Sequence, residues 1–314
     1  MTEVRPSVRL SGLTRHFGDV RAVDGLEFEV ARGELFGIVG PDGAGKTTTL
    51  RMLAGVLPPT SGDAELLGIS VAKDPEAVKP HIAYMSQRFG LYADLTVREN
   101  IEFYADLYEV PKKERPTRLE RLYQFSALQP FEDRLAGKLS GGMKQKLGLS
   151  CALIHEPEIM LLDEPTFGVD PISRRDLWLI VHEMVARGTT VIVSTAYMDE
   201  AERCDRVALL HDGRVVALDT PEQLQKTLEG KVYQVTTQHP RKALELITDI
   251  SGVQHAALFG DTIHVAFDEP EQGWQEASTV LDSNGIAIES HGPSVASMED
   301  VFIKLVRAEE AARG

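Results

Sequence analysis

Three short stretches of this chain carry residue types that act on phosphates. The first is Gly40-Pro41-Asp42-Gly43-Ala44-Gly45-Lys46-Thr47-Thr48. Glycines at 40, 43 and 45 let backbone N–H groups curl around an anion without Cβ clashes. Lys46 is placed to reach the β- and γ-phosphates of a nucleotide, and the Thr47 hydroxyl to ligate Mg2+. The second stretch is Asp163-Glu164-Pro165, two adjacent acids at the end of an apolar run. That pair suits Mg2+-assisted hydrolysis, with Asp163 holding the metal through water and Glu164 polarising the attacking water. The third is Leu139-Ser140-Gly141-Gly142-Met143-Lys144-Gln145. Ser140 caps a helix whose first N–H groups lie beside two glycines, which is either a second anion site or a plain capped helix start. Two single residues join these. Gln87 ends a strand beside a loop, either as a ligand of Mg2+ or water or as a surface glutamine. Phe17 either stacks on an adenine or packs ordinarily.

The elements that position these residues follow from the hydrophobic pattern. Leu35-Phe36-Gly37-Ile38-Val39 precedes the glycine loop and a helical pattern opens at Thr48, the strand–turn–helix context that a phosphate cradle needs. Ile82–Met85, Ile159–Leu162 and Thr190–Ser194 are further apolar strands, and their alternation with helices predicts a parallel α/β sheet. Val8–Leu13 alternates like a strand, and Ala22–Val30 reads as another, broken at Asp24-Gly25. Both predict antiparallel strands laid against the nucleotide site. Residues 96–129 are helical and charged with breaks at Pro111 and Pro116, an insertion in the core. A helix is expected over Arg174–Ala186 and a hairpin at Asp212-Gly213. Beyond a connector helix at Pro221–Leu228 the order changes to β-α-β-β-α-β, the ferredoxin-like arrangement, with its last strand at Ile286–Glu289 and a closing helix near Met298–Ala312. His255, His264 and His291 in this part lack metal-ligand spacing and are read as satisfied or exposed histidines.

Composition narrows the class. The 314 residues have room for two domains. No apolar run approaches the ~20 residues that span a bilayer, and the start is not a signal peptide. Cys151 and Cys204 are isolated, which suits a reducing compartment and small core residues. The net charge of −15 argues against a nucleic-acid partner.

Taken in order, the glycine loop, Gln87, Leu-Ser-Gly-Gly-Met, Leu-Leu-Asp-Glu-Pro and Gly-Val-Asp resemble the ATP-binding subunit of an ABC transporter over residues 8–225. The phrases Gly-Pro-Asp-Gly-Ala-Gly-Lys, Gly-Gly-Met-Lys-Gln-Lys-Leu and Gly-Val-Asp-Pro-Ile-Ser-Arg-Arg are similar to the ABC-2 export branch. Within it they most resemble the amino-terminal half of tandem ATPases linked to multidrug efflux. The resemblance implies a P-loop NTPase core with an antiparallel β subdomain and a helical subdomain at about 91–157, in a nucleotide-binding domain over 1–222. An accessory ferredoxin-like domain then covers 223–314, carrying Ser297-Met298-Glu299-Asp300-Val301-Phe302.

The same resemblance assigns roles. ATP and Mg2+ are the implied ligands. Phe17 is the adenine-stacking aromatic, and Gly40, Gly43, Gly45, Lys46, Thr47 and Thr48 hold the phosphates. Gln87 faces both Mg2+ and the membrane partner, so Thr47, Gln87 and Asp163 form the metal set, and Glu164, Lys46 and Gln87 the catalytic one. Ser140, Gly141 and Gly142 grip the γ-phosphate of a facing subunit's ATP, and Asp170 links the two sites. ABC-2 permease subunits and a second ATPase subunit are the implied partners, on the cytoplasmic face of the inner membrane.

One position departs from the pattern. The family usually has a histidine after the strand ending at Thr195, touching the γ-phosphate, and here it is Ala196. A methyl donates no hydrogen bond. This site is therefore expected to turn over slowly or mainly to hold ATP, and an unlike second ATPase is favoured over a homodimer that would carry the defect twice. The competing reading is a low-turnover, ATP-holding regulatory subunit.

Overall fold

The computed structural model describes residues 5–87 and 90–313. The chain divides into two compact units, one of residues 1–196 with 210–215 and one of residues 197–209 with 216–314.

The first unit opens with β1 (Val8–Phe17), β2 (Val20–Val30) and β3 (Leu35–Val39), then α1 (Lys46–Leu53), β4 (Ser61–Leu66), β5 (Ile69–Ser70) and α2 (Pro75–Val78). It continues through β6 (Ile82–Met85), α3 (Val97–Leu107), α4 (Arg115–Ser126), α5 (Gly141–Leu153), β7 (Ile159–Asp163), α6 (Pro171–Ala186) and β8 (Thr190–Thr195). Strands β3, β8, β7 and β6 lie side by side and parallel, with Val39 beside Thr195 and Asp163 beside Ser194. Every residue of β3, β7 and β8 is buried, as expected of a parallel sheet covered on both faces. This register brings the ends of the glycine-loop strand and of the Asp163 strand to one edge. Cutting Leu161 back to alanine there would cost about 2–5 kcal/mol.

A second, antiparallel sheet runs β2-β1-β4-β5. Strand β2 continues through Asp24-Gly25 instead of breaking there. The pairing slips locally, Leu13 facing Leu26 and Arg15 facing Val23, so a bulge absorbs the irregularity. The helical insertion is two helices, as its prolines require. Pro111 follows the end of α3, and Pro116 sits in the first turn of α4, where a missing N–H costs nothing. Helix α6 starts three residues earlier than its apolar periodicity suggested, because Asp170 caps it and Pro171 occupies its first position. Both cysteines are buried and free, and burial pushes both thiols well above their usual range.

The remaining elements are α7 (Met198–Ala201), β9 (Arg206–His211), β10 (Arg214–Asp219), α8 (Pro221–Lys226), β11 (Val232–Thr237) and α9 (Pro240–Thr248). They are followed by β12 (Val253–Phe259), β13 (Thr262–Phe267), α10 (Pro270–Ser283), β14 (Ile288–Pro293) and α11 (Met298–Arg313). The β9–β10 turn has left-handed backbone at Asp212 and Gly213, the conformation that two-residue hairpins use. Strands β11 to β14 form an antiparallel sheet ordered β12-β13-β11-β14, the ferredoxin-like topology. Val235, Ile263, Val265 and Phe267 face Ala243 and Ile247 of α9 and Ala277 and Leu281 of α10. The last strand begins at Ile288, not Ile286. Ile286 is buried, but its N–H goes to Leu281 O and closes the end of α10.

Candidate functional site

The glycine loop closes on itself before any ligand is considered. Gly45 caps α1 with left-handed backbone (φ 100°), and a Cβ there would overlap the Ala22 carbonyl. Only glycine meets both demands. Lys46 is 4 % exposed. Its ammonium donates to Gly40 O at 2.8 Å and Pro41 O at 3.0 Å, and pairs with Glu164 Oε1 at 3.1 Å. Those three partners match the three N–H bonds of an ammonium.

Asp163 sits across from this loop, 1 % exposed. Its Oδ1 accepts from Thr47 Oγ1 at 2.9 Å and Ser194 Oγ at 2.8 Å, and its Oδ2 from Tyr84 Oη at 3.1 Å. All three partners are neutral hydroxyls, so the carboxylate is oriented without being neutralised. Burial and the Asp163 charge push the Tyr84 phenol up to about 12, which keeps it a donor. Tyr84 and Ser194 are functional neighbours that motif reading missed. The available signal was their position on strands β6 and β8, which flank Asp163.

Glu164 has left-handed backbone (φ 49°), costly for a branched-out acid and typical of working sites. Its N–H is held by Ser194, at 3.1 Å from both the carbonyl and the hydroxyl. Its Oε2 accepts from Gln87 Nε2 at 3.1 Å. Glu164 therefore bridges Lys46 and Gln87.

A cavity of about 330 Å3 opens against this loop and Glu164, with Gly40 and Asp163 outside its wall. Gly43, Gly45, Lys46, Thr47, Thr48, Gln87 and Glu164 line it, joined by Ala22, Asp42 and Phe167. Phe17 does not line it. The ring lies half exposed at the end of β1 with the Arg15 guanidinium 4.7 Å from its centroid. Ala196 is half-buried and not in the wall.

The third stretch lies elsewhere. Ser140, Gly141, Gly142 and Asp170 are absent from the cavity wall. Ser140 Oγ accepts from Met143 N–H at 3.3 Å and caps α5. Gly141 is exposed with open space where a Cβ would stand, whereas a Cβ on Gly142 would overlap the Ser173 side chain of α6. Asp170 accepts from Ser173 N–H at 3.0 Å, and that hydrogen bond with the Ser173 side chain holds its carboxyl below the usual range.

On and before α3, an aromatic pair is exposed. Tyr92 and Phe103 are in edge contact at 4.5 Å, and Leu107 is exposed one turn further along α3. Buried Asn100 donates to Tyr92 O, Leu95 O and Thr96 O and fixes this loop on the helix.

A family model described as ABC transporter matches residues 23–167. The "Probable multidrug ABC transporter ATP-binding protein YbhF" of Escherichia coli (strain K12) is 41 % identical over 303 residues, 95 % of this chain and 52 % of that protein. The chain thus spans about half the length of that relative. The "Nod factor export ATP-binding protein I" of Rhizobium sp. (strain N33) is 34 % identical, covering 96 % of this chain and 98 % of that one. Among solved structures, the dimeric post-hydrolysis state of the ATP-binding cassette MJ0796 bound to ADP and Pi superposes with TM-score 0.62 and 26 % identity, over 68 % of this chain and 98 % of that one.

Proposed function

This chain belongs to the ABC transporter family of ATP-binding proteins, and from that premise we propose that it is an ATPase that supplies half of each of two shared ATP sites driving an ABC-2 type exporter. The observation that carries this is the separation within one chain. Glu164 and the glycine loop line one cavity, and Ser140, Gly141 and Gly142 do not reach it. A complete site needs a second ATPase subunit facing this one head to tail. The exposed Gly141 end of α5 is the face offered to the partner's nucleotide.

ATP enters the cavity with its phosphates on Lys46 and the N–H groups of the glycine loop. Arrival of the γ-phosphate draws Lys46 from Glu164 and frees that carboxylate to polarise a water held by Gln87. Thr47, Asp163 and Gln87 would hold Mg2+, since all three offer oxygen ligands and the Asp163 carboxylate is oriented by three hydroxyls. Bound there, the ion would supply positive charge against the phosphate oxygens. Phe17 lies outside the described cavity wall and serves as the adenine platform at its edge.

The finer assignments rest on other features. Exposed Tyr92, Phe103 and Leu107 give the permease subunits an apolar docking face, so the chain works as a peripheral protein on the cytoplasmic side of the inner membrane. The cargo is a drug or another hydrophobic compound, in line with the multidrug relative. The nucleotide-binding domain ends near 222, with the accessory domain following. Ala196 favours an unlike partner and a slow or ATP-holding site on this chain.

Sedimentation of Glu164→Gln with MgATP, alone and with a co-expressed second ATPase, tests the pairing. A complex only in the mixture is expected, and a stable homodimer would remove the unlike partner. Ala196→His should raise turnover of the complete complex several-fold, and comparable rates would sink the slow-site reading. Loss of dye efflux from cells carrying Glu164→Gln tests export itself.

A further inference from the structure

The first unit holds a second cavity of about 430 Å3, and it shares no lining residue with the nucleotide cavity. It opens at the amino ends of the parallel strands, where Glu158 precedes β7 and Thr190 begins β8. Asp163 and Glu164 are at the other end of β7, roughly 16 Å away at the rise of a strand. The cavity is therefore a separate site, and its volume is within the ~300–1,000 Å3 of small-molecule pockets.

Its floor is apolar, built by Leu67, Leu122, Phe125, Leu153, Ile180 and Met184 from both the core and the helical insertion. Its mouth carries Arg32, Arg118, Arg121 and Arg187. The acids at the mouth are already engaged. Glu156 pairs with Arg118 and Arg121, Glu183 with Arg187, and Glu158 with His81. Arg32, in the turn before β3, has no carboxylate partner among the described residues and is exposed. A guanidinium that lacks a carboxylate beside an apolar floor is recognition chemistry for one anionic head group with an apolar tail.

We propose that this cavity binds a medium-chain carboxylate, its head on Arg32 and its tail on the floor between α4 and α6. The site bears on the ATP machinery from behind. Arg118 on its wall donates to Ile154 O, the cap residue of α5, at 3.0 Å. That helix begins at Gly141, about 20 Å away along its axis.

Equilibrium dialysis of the full chain against decanoate tests this, with decanol and acetate as the tail and head alone. Saturable one-to-one decanoate binding is expected, at least tenfold tighter than decanol, with no saturable acetate binding. Arg32→Glu and the cavity-filling Thr189→Trp should each weaken decanoate at least tenfold while MgATP binding stays unchanged. Absence of saturable binding, equal affinity for decanoate and decanol, or indifference to both substitutions would overturn the site. Flotation with phosphatidylglycerol vesicles that Arg32→Glu abolishes would assign the head group to a membrane lipid and overturn the free carboxylate.

Discussion

Two aspartates of this molecule are buried to the same degree and hold different sets of partners. Asp163 and Asp300 are 1 % and 0 % exposed. Asp163 accepts from the hydroxyls of Thr47, Tyr84 and Ser194. Asp300 accepts from His255 Nε2 at 3.0 Å, His264 Nδ1 at 3.1 Å, and both the N–H and the hydroxyl of Ser297 at 2.8 Å. Hydroxyls rotate and can either donate or accept. They orient a charge and leave it available. Ring N–H groups and the backbone N–H of Ser297, just before helix α11, only donate here, so Asp300 is consumed as a clasp between β12, β13 and the start of that helix. The contrast teaches that the partners, not the burial, decide whether a buried carboxylate is a site or a joint.

The comparison breaks most visibly at Asp163. Asp163→Asn should leave the fold intact, because its three hydroxyl partners can turn to accept from an amide. Turnover should fall by about 100-fold or more, the several kcal/mol expected for losing a metal-holding charge. A loss of thermal stability matching the loss of activity would show that Asp163 is a joint after all.

Asp300→Ala should do the reverse. It leaves donors on His255, His264 and Ser297 buried without an acceptor, costing about 2–4 kcal/mol. Hydrogen exchange of β12 and β13 in the full chain should quicken while ATP binding is kept. The same clasp has a pH signature. Burial works against the ionised Asp300, but the hydrogen bonds from His255, His264 and Ser297 outweigh it and hold the carboxyl well below the usual range. A carboxyl lowered in this way contributes stability that is complete above its unfolded pKa of about 3.9 and is lost as pH falls through the folded value. The stability gap between the parent and Asp300→Ala in urea should therefore narrow below about pH 4. A gap that is constant down to pH 2 would deny the charge its part.

Tyr84→Phe should give the smallest effect. It removes one of three donors from Asp163, and turnover should fall about 3- to 10-fold, the size of one typical hydrogen bond. Half-saturating ATP should stay where it is, since Tyr84 does not line the cavity. An unchanged rate would mean that Thr47 and Ser194 suffice to aim the carboxylate.

What the sequence revealed of these two aspartates follows from distance along the chain. Asp163 announces itself because Glu164 and an apolar strand are its immediate neighbours, and the glycine loop is likewise contiguous. Its supporting hydroxyls are not contiguous: Tyr84 and Ser194 join it only through the parallel pairing of β6, β7 and β8. The Lys46–Glu164 pair needs the same register. His255 and His264 read as satisfied or exposed histidines, and the β12–β13 pairing sets them beside the one helix-borne acid that they bond, a partner no local pattern names. The ferredoxin-like order was readable from alternation alone, whereas the start of its last strand was not, because Ile286 is apolar for the sake of a helix end. The separation of Gly141 from the cavity depended on where α5 lies, which no local pattern states.

The buried cysteines carry a practical consequence. The thiolate is the form that alkylating reagents attack, and Cys151 and Cys204 are held as thiols behind the surface. The chain is thus silent to thiol labels. A cysteine placed by Lys144→Cys, exposed in the first turn of α5, would be its one fast-reacting handle. Its alkylation rate, followed after mixing with MgATP and a second ATPase, would become a stopwatch for the moment the opposing surface arrives.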